Sequence, residues 1–164
     1  MLPSARSHGI GGPKMGNRGC IVAVASGGGH WLQMMELYPA FSGKDVFFIT
    51  TKESFLKKNQ VDGVVIPDCN AREPLNLLRA FVFAFKLIRK LRPEVVVSTG
   101  AAPGLIVLFL SYWFGAKTIW VDSVANAERL SLSGRLAGYF ASVWLTQWPH
   151  LSIPDGPEYR GSVL

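Results

Sequence analysis

The sequence predicts an α/β domain of three layers, with helices on both faces of a mostly parallel sheet. Three observations carry that expectation. Short β-branched runs alternate with helical stretches along the chain. The runs are almost wholly apolar, as strands covered on both faces are. And 164 residues suffice for one sizeable core but not for two ordinary domains.

Each element follows from a local signal. Residues 20–25 (CIVAVA) are a β-branched run closed by glycines, which predicts a buried strand. Trp31, Met34, Met35 and Tyr38 recur at intervals of three and four, so a helix follows and stops at Pro39 and Gly43. DVFFITT (45–51) reads as a second strand and 63–66 as a short third. Pro74 opens a long helix that reaches about Leu91, bounded by Glu73 and Pro93. EVVVS (94–98) is a fourth strand running into glycine and a helix over 102–114. KTIWV (117–121) is a fifth strand, a helix near 128–140 follows, and 143–146 is a sixth strand. The pattern is Rossmann-like. It divides the chain into a flexible leader (1–19), one domain (20–150) and a C-terminal tail (151–164).

Composition narrows the function classes. Half the residues are apolar (49%) and 12% are aromatic, which excludes disorder for most of the length. The formal charge of +6 favours anionic partners: phosphates, anionic lipids or nucleic acid. Cys20 and Cys69 are too few and too far apart for a zinc site or disulfide framework, so no metal is expected and a reducing compartment is. No secretory signal is visible in the first residues. The most apolar stretch, 101–116, falls short of the roughly 20 residues a spanning helix needs.

In open parallel sheets, ligands bind outside the carboxyl ends of the strands. Three polar stretches fall there, the first two bearing glycine: Ser26-Gly27-Gly28-Gly29-His30, then Ser98-Thr99-Gly100 with Gly104, then Asp122-Ser123 with Asn126. Gly27 and Gly29 supply half of a dinucleotide fingerprint, but Leu32 stands where its third glycine belongs, and no P-loop motif is present. What remains is a glycine turn feeding a helix N-terminus, which suits a negative charge by about 0.3–1 kcal/mol from the dipole alone. A tight turn that binds nothing is the plainer reading of one such loop; the second loop repeats the arrangement. His30 sits in the first helical turn, either for proton transfer, since imidazole is the side chain suited to exchanging a proton near neutral pH, or packed beside Trp31.

The order SGGGH, STGAAPG, VDSVANAERLSLSGR, LTQWPHL and a final Tyr-x-Gly resembles one family over roughly residues 20–164. This is the small membrane-docking subunit of the two-subunit UDP-N-acetylglucosamine transferase of lipid-linked oligosaccharide synthesis, with its bacterial exopolysaccharide relatives. LSLSGR followed by QWP is the specific part of the match; the glycine loops alone are weak. The resemblance implies one half of a GT-B glycosyltransferase fold, with a separate catalytic subunit holding the UDP-sugar and no further cofactor. It implies a non-autonomous subunit at the cytoplasmic face of the membrane, binding a sugar on a polyprenyl pyrophosphate. His30 and Asp122 then fall at catalytic positions. Ser26, Gly27, Gly28, Gly29, Ser98, Thr99, Gly100, Gly104, Ser123, Asn126 and Arg129 fall at acceptor-binding ones. Family members often carry Glu at Asp122 and Arg at Asn126; Asn cannot replace an arginine fork on phosphate, though Arg129 lies three residues on. They also often carry an N-terminal membrane helix, which this sequence does not show.

Two surfaces follow from patterning. On the helix 74–92, Leu77, Leu78, Phe81, Phe85, Ile88 and Leu91 share a face expected to pack on the sheet. Arg79, Lys86 and Lys90 fall opposite, flanked by Leu75, Val82 and Phe83, a basic stripe that fits an anionic bilayer. An ordinary solvated face is the plainer alternative. The helix 104–114 is apolar all round, hence buried or a second contact surface. The C-terminus has no amphipathic pattern of its own. A frayed end is the plainer reading of it; the family resemblance implies instead that Tyr159, Gly161, Val163 and Leu164 anchor a partner subunit.

Two other classes compete. A free-standing Rossmann-type enzyme for a nucleotide or nucleotide-sugar is opposed by the incomplete fingerprint and by Thr50, Thr51 and Lys52 where a ribose-binding acid belongs. A nucleic-acid module is suggested by charge alone, with no recognised motif, so no nucleic-acid partner is expected.

Overall fold

The computed structural model describes residues 19–70 and 72–163. The expected leader lies almost wholly outside the described residues, as does Leu164. The elements are β1 (Ile21–Val24), α1 (Gly29–Leu37), β2 (Val46–Thr50), α2 (Glu53–Asn59), β3 (Gly63–Val65), α3 (Pro74–Leu91) and β4 (Val95–Ser98). They continue through α4 (Ala101–Trp113), β5 (Lys117–Val121), α5 (Leu132–Ala137), β6 (Val143–Thr146) and β7 (Glu158–Tyr159).

The strands form one sheet in the order β3-β2-β1-β4-β5-β6-β7, and every pairing is parallel. Alternating side chains divide the strands between two cores. Val22, Val24, Phe47, Ile49, Val96 and Trp120 face α3, α4 and α5. Ala23, Ala25, Phe48 and Val97 face Trp31 and Met34 of α1 and Leu56 of α2. The chain steps outward from β1 through β2 to β3, then returns to lay β4 on the other side of β1. That reversal opens a crevice between the carboxyl ends of β1 and β4.

Four differences from the expectations have physical causes. The helix α2 was not anticipated, because its seven residues carry Glu53 at the start and Lys57 and Lys58 at the end but bury only Leu56. The helix expected near 128–140 shrinks to Leu132–Ala137, since Asp122 draws Ser131 into an N-cap whose hydroxyl accepts from Gly134 N. The tail does not stand apart: Glu158 and Tyr159 extend the sheet beside Leu145 and Thr146 of β6.

The fourth difference concerns α3. Its buried seam is Ala80, Ala84, Ile88 and Leu91, the small residues allowing close approach to the sheet and α4. Leu78 (60% exposed), Phe81 and Phe85, expected inside, face outward, and Leu77 lies at the margin. Phe83, expected outside, is half-buried against the core. The N-terminus of α3 is held by Glu73, which accepts from Asn76 Nδ2 (2.6 Å) and Asn70 Nδ2 (2.9 Å). Those hydrogen bonds hold its carboxyl below the ordinary range. Helix α4 is neither wholly buried nor wholly exposed: Val107, Leu108 and Leu110 are inside, while Tyr112 and Trp113 (71% exposed) are outside. No helix of the described residues is long and apolar enough to cross a membrane.

Candidate functional site at the strand switch point

The β1–α1 and β4–α4 loops meet across the crevice. Gly28 caps α1 at φ 74, a left-handed backbone suited to glycine. Its carbonyl accepts from Trp31 N and Leu32 N. Gly28 and Gly29 are exposed, and neither α1 nor α4 has a side-chain cap or an acidic residue in its first turn. Both helix starts therefore present backbone N–H groups and a positive dipole end with no acidic side chain of their own first turn to meet them.

His30 is the polar side chain at this junction. Its Nδ1 lies 2.9 Å from the Thr99 carbonyl, and the Thr99 hydroxyl donates to the His30 carbonyl at 2.7 Å. A carbonyl only accepts, so Nδ1 carries the proton and the neutral ring keeps its lone pair on Nε2. Gly100, at φ 133, lies against the ring; a Cβ there would stand 2.5 Å from His30 Nδ1. The imidazole is thus fixed in position and tautomer by the second loop.

The other predicted residues divide into surface and frame. Ser26 is nearly buried. Gly27 N donates to Thr51 Oγ1 at 3.0 Å. Ser98 and Thr99 are fully buried, and Ser98 Oγ accepts from Gly100 N. Gly104 is buried in α4, where a Cβ would collide with Ser98 Oγ; its place is packing, and the expectation that it touches a ligand is corrected.

Asp122 is also corrected. It is 2% exposed, and both carboxylate oxygens are occupied. Oδ1 accepts from Ser131 Oγ (2.7 Å) and Trp120 Nε1 (3.2 Å). Oδ2 accepts from Ser131 N (3.1 Å) and Asn126 Nδ2 (3.2 Å). Gly134 packs so closely that a Cβ would strike Oδ1. A carboxylate so satisfied folds the 122–131 loop; it has no oxygen left to receive a substrate proton. Asn126 is spent on the same task. Ser123 Oγ accepts from Ala125 N within the turn. Arg129 is exposed, with no hydrogen bond or ion pair among the described residues, so its guanidinium is the available cation of this loop.

Sequence reading missed three residues. Lys52 lays its stem along the glycine turn, where a Cβ at Gly27 would be 3.3 Å from its Cδ and Cε. Its position directly after a strand end was the available signal. Gln33 and Gln147 are buried and both donate through Nε2 to the Asp122 carbonyl, at 3.2 and 2.9 Å. Gln147 stood in the QWP motif; Gln33 gave no signal.

The predicted surfaces are placed as follows. Leu75, Arg79, Val82, Lys86 and Lys90 are exposed on α3, with Phe83 beneath them. Tyr159 is exposed in β7, Gly161 is exposed at φ 110, and Val163 is half-buried.

A family model described as "Oligosaccharide biosynthesis protein Alg14 like" matches residues 67–162. The chain belongs to the Alg14-like family. A relative from Eremothecium gossypii, named UDP-N-acetylglucosamine transferase subunit ALG14, is 30% identical over 87% of this chain and 80% of its own length. A Yarrowia lipolytica protein of the same name is 25% identical over the whole chain and 90% of its own length. Among solved structures, Acinetobacter baumannii MurG superposes at a TM-score of 0.69, with 13% identity over 86% of this chain and 44% of its own. A Staphylococcus aureus MnaA–UDP structure superposes at 0.63, with 11% identity, covering 79% of this chain and 39% of that one. These likenesses show the fold, which is one half of a GT-B glycosyltransferase such as MurG. The Alg14-like chain spans under half the length of those solved chains, but 80% and 90% of the two curated relatives just described.

Proposed function

We propose that this Alg14-like chain is the acceptor-binding subunit of a UDP-sugar-dependent hexosyltransferase, active only with a catalytic subunit that carries the donor site. The acceptor is a sugar on a polyprenyl pyrophosphate at the cytoplasmic face of a membrane. The observation that carries this is the strand switch point. Two uncapped helix starts face it, His30 is held there with its lone pair on Nε2, and Lys52 borders it, while Arg129 is exposed on the loop after β5. Backbone N–H groups and cations suit the acceptor's pyrophosphate.

In the reaction, His30 Nε2 takes the proton of the acceptor hydroxyl as its oxygen bonds to C1 of the donor sugar. The bond from C1 to the UDP oxygen breaks, UDP leaves with its electron pair, and configuration at C1 inverts. Groups that stabilise departing UDP belong to the partner. The name of the two curated relatives, UDP-N-acetylglucosamine transferase subunit, supports a donor site carried by another chain.

Membrane contact is assigned to α3. Leu75, Leu78, Phe81, Val82 and Phe85 expose a broad apolar strip, and Arg79, Lys86, Arg89 and Lys90 lie beside it with no acidic residue in the helix. A groove of about 360 Å³ continues it across α4 and α5, lined by Phe81, Ile106, Phe109 and Leu136 among other apolar side chains. Such a surface suits the acyl–headgroup boundary of an anionic bilayer.

The test is a pull-down from native membranes followed by a transfer assay on a lipid-linked acceptor. Recovery of one partner with a UDP-sugar site, and transfer by the pair but not by either chain alone, is expected. Turnover of a nucleotide-sugar by the isolated chain would replace the subunit reading with a free-standing enzyme.

A further inference from the structure

The C-terminal segment is seated on the same buried amide that supports the candidate site. Gln147, just beyond β6, is 4% exposed. Its Oε1 accepts from Val163 N at 3.0 Å and from Ser162 Oγ at 3.4 Å. Its Nε2 donates to the Asp122 carbonyl at 2.9 Å. That carbonyl also receives Gln33 Nε2 at 3.2 Å, and Gln33 Oε1 accepts from Val124 N at 3.3 Å. Gln33 stands one turn after His30 in α1. A continuous path of hydrogen bonds therefore runs from Val163 through Gln147 to the 122–131 loop, and through Gln33 to the helix that begins with His30.

The chemistry of an amide gives this path a direction. A primary amide has one accepting end and one donating end. While the Val163 N–H occupies Oε1, Nε2 is turned to the Asp122 carbonyl. When the segment leaves, the amide keeps only its Nε2 hydrogen bond to the Asp122 carbonyl and loses the Oε1 partners that pin its other end, so that bond is held less firmly. Weakening it leaves the buried Asp122 carbonyl to the longer Gln33 hydrogen bond, which is unfavourable, so the loop loosens.

We infer that Gln147 is a positioning residue that couples seating of the C-terminal segment to the order of the 122–131 loop and of α1. This rests on the acceptor-site reading for its meaning: a partner that grips the C-terminus would then also set the acceptor site, and by linkage acceptor binding would alter partner affinity.

Amide hydrogen exchange on the full chain tests the coupling without any ligand. Deleting 162–164 should speed exchange at Val124, Asn126 and Ser131 by about fivefold or more. Gln147→Leu should do the same, and combining the two should add nothing, because both break one path. The Phe48 and Ile66 amides, bonded to Asp62 and Thr50 at the far side of the sheet, should not change in any variant. Gln147→Glu guards against a leucine variant that fails to fold. It keeps an acceptor for Val163 N and removes the donor to Asp122, so the loop should loosen while Val163 stays protected. Unchanged loop exchange on deletion, or effects that multiply in the double variant, would overturn the coupling. A partner that binds normally without 162–164 would instead count against the docking reading and leave the coupling standing.

Discussion

At the scale of single residues, His30 and Asp122 look alike in sequence, as polar groups beside strand ends, and the structure separates them. His30 keeps a basic nitrogen open, so His30→Gln in the assembled transferase is expected to lower kcat by about 10²–10⁴-fold with acceptor KM nearly unchanged. Equal losses in kcat from His30→Gln and from a distant surface variant would count against the base role. Asp122 has four donors on its carboxylate. Asp122→Asn turns an NH₂ toward some of them, and a stability loss of about 2 kcal/mol or more is expected in denaturant unfolding. Burial, then the carboxylates of Asp68 and Glu73, push the Cys69 thiol up to about 11 from an ordinary 9.0. The folded chain thus holds this proton more tightly than the unfolded one. The resulting contribution is intact below pH 9 and is lost as pH rises from about 9 to 11. Cys69→Ala should flatten that part of the stability profile.

At the scale of elements, α3 shows what a hydrophobic wheel reports and what it does not. Its length and ends were legible from Pro74, Leu91 and Pro93. Of its inward face Ile88 and Leu91 were legible but Ala80 and Ala84 were not, because counting large apolar residues favours Leu78, Phe81 and Phe85. Close packing of α3 on α4 and the sheet demands small side chains at the seam. Ala84→Leu should therefore cost about 1–3 kcal/mol by overpacking, whereas Phe85→Ala should cost much less. The outward phenylalanines join the basic stripe. Removing Lys86 and Lys90 together should weaken binding to anionic vesicles by about fivefold per charge, an effect that fades with added salt. Equal binding to neutral and anionic vesicles would refute the electrostatic part. Of the short helices, α2 was missed because it buries only Leu56, and α5 was expected in place but too long, because the hydrogen bonds of Ser131 to Asp122 set its start.

At the scale of the whole molecule, the alternation of strands and helices determined an α/β sheet before any coordinates. Strand composition showed it to be parallel, because segments covered on both faces must be apolar throughout. The glycine loops and His30 were legible because left-handed turns and bare helix starts restrict residue choice locally. The specific blocks LSLSGR and QWP placed the chain in its family. Only the tertiary structure decided which polar groups face the crevice. Side-chain direction depends on partners elsewhere in the chain: Thr99 fixes the His30 ring at the crevice, Ser131 holds the Asp122 carboxylate inside, and Gln147 bonds both the C-terminal segment and the Asp122 carbonyl. The seventh strand has the same origin. Glu158 and Tyr159 have no strand pattern of their own, and become a strand because the open edge of β6 supplies the hydrogen bonds they lack.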